Sequence, residues 1–136
     1  YITEFLDSVF KRGDAGIMHQ SKASPRRFAV GSQLLEVLLQ IAVLRSSGSG
    51  FYTRALRIDE LLVFLRERYG IYIDRLPSGD GFGTASIKDL AALRLNVQSF
   101  RCRLREIGFF RDLSDAYITQ TIMPRYTIAK TNGGAP

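Results

Sequence analysis

Arg94, Gln98, Arg101 and Arg105 recur at steps of four, three and four. Each helical residue turns the chain by about 100°, so this spacing gathers the four into one stripe. A guanidinium can hold guanine O6 and N7 in a bidentate contact, and a Gln amide can do the same for adenine. Such a row is equipped to meet base edges in the major groove of double-stranded DNA. Arg111 and Arg125 follow at positions suited to phosphate contacts. From Arg94 to Arg111 there are five arginines and one acid, Glu106, the most basic window of the chain. The same stripe also fits a solvated flank of an amphipathic helix, because Arg stems cover apolar surface while their heads stay in water.

The element that carries this stripe is the most regular of the sequence. Leu90, Leu93, Val97, Phe100, Leu104 and Ile107 step by three and four, which predicts a helix from Ser86 to Ile107. Ser86 can cap it, with Asp89 where a capping-box acid belongs, and Gly108 ends it. Asn96 marks a possible kink. Cys102 and Leu95 lie on the face away from the apolar stripe, a hint that the helix is covered on two sides by the parent protein or a partner. The period then changes. Phe109 to Leu113 reads as extended, Leu113 to Ala116 as a turn, and Tyr117 to Ile122 as a returning strand that Pro124 ends.

Upstream, apolar spacing predicts a helix from Tyr1 to Arg12, stopped by Gly13. Asp14 to Arg27 is polar and reads as a loop, with His19 an ordinary member of it. Ser32 is the expected N-cap of a second helix whose leucines, from Leu34 to Leu44, cover most of its circumference and predict burial on more than one side. Ser46 to Gly50 reads as a flexible connection and Phe51 to Ile58 as extended. Asp59 is the expected cap of a third helix that runs to Tyr69 and ends at Gly70. Ile71 to Ile73 could form a short strand, and Pro77 to Gly83 a loop. Thr131 to Pro136 is expected to be a disordered tail.

A helix, a tight Leu-Arg-Glu-Ile-Gly exit at Leu104 to Gly108, and then a short hairpin resemble the end of a winged-helix domain. The resemblance covers Leu56 to Tyr126. It implies that helix 59–69 positions, that helix 86–107 is the recognition helix, and that 109–123 is the wing. The helix over Leu34 to Leu44 would be the first of the three. In that family the last helix enters the major groove and the wing touches flanking backbone. Here the last helix and the connection before it are longer than the family usually has.

Composition sets the outer bounds. With one cysteine, Cys102, and one histidine, His19, an internal disulfide is impossible and a zinc site lacks ligands. Gly79 to Gly83 is glycine-rich but lacks the Gly-Lys-Ser/Thr ending of a phosphate-binding loop. The carboxylates are scattered, and Asp59 and Asp89 already have capping roles, so no catalytic set, metal or cofactor is expected. The net charge is +6 and most of the cations are Arg, a balance that favours polyanions. No signal pattern is visible, and the longest apolar stretch, Leu34 to Leu44, is broken by Glu36 and Gln40 and too short to span a bilayer. A cytoplasmic origin is the simplest reading, and a start at Tyr1 without Met suggests an excised domain of a larger intracellular protein.

The expectation is thus an α+β, mostly helical fold, a winged-helix-like bundle with a C-terminal β-hairpin wing. It would be a single domain over 1–130, with N-terminal helices in 1–50 and the winged-helix-like unit in 51–128. The expected function is non-enzymatic binding of double-stranded DNA through Arg94, Gln98, Arg101, Arg105, Arg111 and Arg125. The alternative is a protein-interaction or oligomerisation module of a larger ATPase or defence assembly, bound to the rest of its parent protein or to copies of itself.

Overall fold

A computed structural model describes residues 1–5, 18–21, 24–48, 50–79, 81–111 and 121–130. Two compact units divide the chain, Tyr1–Ile41 and Ala42–Pro136. The class is α+β: helices joined with small antiparallel sheets.

In the first unit residues 2–5 are helical, and the remainder of the expected Tyr1–Arg12 helix lies outside the described residues. The expected loop after it contains a hairpin instead. Strand β1 (Met18–Ser21) pairs antiparallel with β2 (Ser24–Phe28), with Met18 opposite Phe28 and His19 opposite Arg27. Polar residues on both faces erase the period-two signal by which a strand is recognised. Pro25 is tolerated because the register slips between His19 and Ser21 and a two-stranded ribbon leaves its outer edges unpaired. Helix α1 (Ser32–Val43) follows. Its first bond runs from the Leu35 N–H to the Gly31 carbonyl, 2.8 Å, so Ser32 sits inside the first turn rather than capping it. Leu35, Leu38, Leu39, Ala42 and Val43 are buried, whereas Val37 and Ile41 are exposed. Burial therefore follows one face, not the whole circumference: the leucines at three-and-four spacing are covered and the others are wet.

The second unit begins in the last turn of α1. Arg45 turns its guanidinium back to the carbonyls of Ala42, 2.7 Å, and Leu44, 3.0 Å, which satisfies acceptors left over at the helix end. Strand β3 (Leu44–Ser47) and strand β4 (Gly50–Thr53) then form a hairpin, in register from Leu44 opposite Thr53 to Ser47 opposite Gly50. This hairpin replaces the expected flexible connection. Gly50, at φ 131, takes a backbone conformation that other residues resist, so the glycine closes the turn rather than loosening it. The Thr53 N–H donates to the Ile128 carbonyl, 3.0 Å, and the Ile128 N–H returns to Thr53 Oγ1, 2.9 Å, which lays residues 127–130 along β4.

Strand β5 (Leu56–Arg57) leads directly into helix α2 (Ile58–Tyr69). Arg57, in extended conformation, is the capping position, so Asp59 is not the cap. The end is held in reverse: the Glu60 carboxylate accepts from the Arg57 N–H at 2.9 Å and from Arg54 at 2.7 Å. Asp59, in the first turn, pairs with Arg57 Nε at 3.0 Å. Ile58, Leu61, Leu62 and Leu65 are the buried face. Gly70 ends the helix at φ 65, its N–H reaching the Arg66 carbonyl at 3.0 Å. Ile71 to Ile73 is not a strand, because the Ile71 N–H is already engaged by the Leu65 carbonyl, 3.2 Å.

Helix α3 (Ile87–Glu106) precedes β6 (Phe110–Arg111) and β7 (Thr121–Ile122). The three short strands form one antiparallel sheet in the order β5-β7-β6, with Ile122 opposite both Leu56 and Phe110, and Thr121 opposite both Arg57 and Arg111. The turn and most of the returning strand expected between β6 and β7 lie outside the described residues, as does the expected tail. Leu56, Leu61, Leu65, Leu104, Phe109 and Ile122 are almost completely buried and make the core of this unit. Each such side chain contributes on the order of 1.5–3 kcal/mol by leaving water. Among the described residues no helix is long and apolar enough to cross a membrane.

Candidate binding face on the long helix

Both ends of α3 are set by local chemistry. Ser86 is in extended conformation, and its Oγ accepts from the Asp89 N–H at 3.2 Å. Asp89 answers by accepting from the Ser86 N–H, 2.8 Å, and from the Ser86 hydroxyl, 2.7 Å, which completes the capping box. The Ser86 hydroxyl, then the Ser86 N–H, hold the Asp89 carboxyl below its ordinary value. At the other end Gly108 adopts φ 78, and the N–H groups of Gly108 and Phe109 reach the carbonyls of Arg105, 2.9 Å, and Leu104, 3.1 Å. That is a Schellman closure, sealed by the buried Leu104 and Phe109. The helix runs unbroken through Asn96 for 20 residues, about 30 Å.

Only its C-terminal part is covered. Phe100 and Leu104 are the buried residues of α3. Toward the N-terminus Ile87 is 87% exposed, Leu95 62% and Leu90 48%, and Leu93 and Val97 are half-buried. One apolar stripe therefore has two fates, core at Phe100 and Leu104, open surface at Leu90 and partial cover at Leu93 and Val97.

The open half faces a groove of about 690 Å³. Leu90, Leu93 and Val97 form its apolar wall, and Arg94, Gln98, Arg101 and Arg105 line it as well, with Cys102 and Asp74. All four residues of the predicted stripe thus share one cleft, and they share it with the apolar stripe. Asp74 is its carboxylate, and that charge is already met by Arg66 at 3.2 Å and Arg75 at 3.1 Å. Arg94 and Arg101 make no ion pair among the described residues. Among the described residues Arg101 Nε is enclosed and has no hydrogen-bond partner. An enclosed donor without an acceptor costs free energy.

The other two predicted residues belong to the chain after α3. Arg111 sits in β6, its backbone in register with Thr121, and its side chain is outside the described residues. Arg125 donates to the Ile107 carbonyl at 3.0 Å and lies over the Phe109 ring, 4.8 Å from its centre. Its guanidinium thus braces the exit of α3. Sequence reasoning passed over Leu90, Leu93 and Val97 as site residues, since regular apolar spacing is the signal of a packed face. A signal was present: Arg75 to Ser86, which precedes them, is rich in Gly and Ser and offers little apolar surface to cover a helix. Among the described residues no group of three or more His, Cys, Asp or Glu is placed to hold a metal ion.

A family model described as methylation-associated defense system protein MAD7 matches residues 1–126. The chain belongs to that family. The match to MAD7 takes in the whole of α3 together with Arg111 and Arg125. No curated protein and no solved structure matches the chain.

Proposed function

We propose that the chain is a non-enzymatic binding module of a methylation-associated defense assembly, and that the open face of α3 receives a macromolecular partner. The observation that carries this is the groove itself. Leu90, Leu93 and Val97 stand in it beside Arg94, Gln98, Arg101 and Arg105, on a helix whose ends are secured without that face. Apolar side chains left open beside the guanidiniums of Arg94 and Arg101 gain from being covered, and interfaces are enriched in Arg with an apolar centre. The absence of enzyme activity is supported by the carboxylates that have structural tasks: Asp89 in a cap, Glu60 under Arg57 and Arg54, Asp74 between Arg66 and Arg75. The scaffold is read as winged-helix-like. In support, one strand precedes the two helices, two follow, and the last strand lies in the middle of the sheet.

The test is Leu90→Asp with Leu93→Asp in cells that carry the complete defense system. Protection should be lost while the variant chain keeps its level and its circular-dichroism spectrum. Full protection by that variant would refute the assignment of the face. A second reading, double-stranded DNA as the partner, is favoured by the Arg94, Gln98, Arg101 and Arg105 row, whose residue types suit base edges and phosphates.

A further inference from the structure

We propose that the α3 groove takes an amphipathic segment of another protein, with apolar side chains in a row and carboxylates flanking them. This rests on the binding-face reading above and names the partner's chemistry. The groove presents two requirements at once. Leu90, Leu93 and Val97 follow a three-and-four spacing, the pattern by which a helical face seats a partner helix in a groove. Arg94 and Arg101 are without ion-pair partners among the described residues.

Three occupants can be compared on that chemistry. A nucleic-acid backbone supplies anions for the arginines but leaves the apolar wall largely in water. A second copy of this chain, face to face, brings the arginines of one α3 toward those of the other, and the cleft's carboxylate, Asp74, is already held by Arg66 and Arg75. Like charges brought together in a cleft of reduced dielectric repel strongly. An acidic amphipathic segment answers both requirements: its apolar row covers Leu90 and Leu93, and its carboxylates accept from Arg94 and Arg101 in charge-assisted hydrogen bonds. At about 690 Å³ the groove has room for several side chains, which suits a segment better than a single anion.

The experiment is selection from a displayed library of random peptides, about 15 residues long so that four helical turns can form, on the intact chain. The Leu90→Asp, Leu93→Asp variant serves for counter-selection. Enriched peptides should share Leu, Phe or Met at three-and-four spacing flanked by Asp or Glu. Their affinity, measured by fluorescence anisotropy, should fall about ten-fold or more for Arg94→Glu with Arg101→Glu, as loss of central interface residues does. Leu90→Asp alone, at a more exposed site, should weaken them similarly, which guards against misfolding of the double variants. Enrichment of basic peptides, no common pattern, or affinity indifferent to both variant sets would overturn the proposal. So would a random DNA duplex that binds the chain and is lost with Arg94→Glu and Arg101→Glu but not with Leu90→Asp. If the peptides fail while Leu90→Asp with Leu93→Asp still abolishes protection in cells, the face stands and only the partner's class falls.

Discussion

Leu93 and Leu104 occupy the same apolar stripe of α3, yet Leu104 is fully buried and Leu93 only half. Truncating each to Ala separates the two situations. Leu104→Ala removes side-chain atoms from the core around Phe109 and Ile122 and should destabilise by about 2–5 kcal/mol. Leu93→Ala should cost less than about 1 kcal/mol, as surface changes do. Urea unfolding of both variants checks this, and equal losses would mean that the groove wall is core after all. Arg125 makes the same point from the polar side. Its sequence position fits a phosphate contact, but the Ile107 carbonyl and the Phe109 ring engage it within the chain.

At the scale of the element, the N-terminal half of α3 gains little from burial and depends on its cap. The Ser86–Asp89 box is therefore of local consequence. The carboxyl of Asp89 lies below its ordinary value when folded, first through the Ser86 hydroxyl and then through the Ser86 N–H. A depressed carboxyl stabilises the folded form fully above its unfolded value, about 3.9, and that contribution is lost as pH falls through the lower folded value. Amide exchange in the first turn of α3, corrected for the intrinsic rate, should therefore rise on acidification below about pH 3.9. In Asp89→Asn that extra pH dependence should disappear, and at neutral pH Ser86→Ala should speed exchange there about five-fold, the usual loss of a helix cap. First-turn exchange unchanged in both variants would show that the box does not hold this end.

At the scale of the whole molecule the balance is +6, and the match to the MAD7 family spans residues 1–126. A basic chain attracts a duplex at low salt whatever its specific partner, so the informative quantity is the salt slope. If DNA is the partner, Arg101→Ala with Arg105→Ala should weaken duplex binding and lower the slope of log affinity against log salt by about 2, one unit for each phosphate that an arginine no longer neutralises. Fluorescence anisotropy of a random duplex and of a single strand, at low and moderate salt, measures this. An unchanged affinity and slope would remove the DNA reading and leave the acidic segment.

Whatever depends on near neighbours was legible in the amino-acid order alone. The ends of α3 could be read because a Ser with an acid three residues on, and a glycine before two phenylalanines, act over a single turn. The stripe of Arg94, Gln98, Arg101 and Arg105 could be read because helical geometry alone aligns it. Which half of the apolar stripe would be covered was settled by the folded chain, for periodicity belongs to one segment and burial to whatever faces it. The hairpin over Leu44 to Thr53 and the strands around His19 were hidden for a related reason: pairing between polar strands is settled by backbone hydrogen bonds, to which side-chain pattern is a poor guide. For Arg125 the order of residues left the choice open, because a guanidinium can serve a carbonyl, a ring or a phosphate, and its contacts with the Ile107 carbonyl and the Phe109 ring are made by proximity in space.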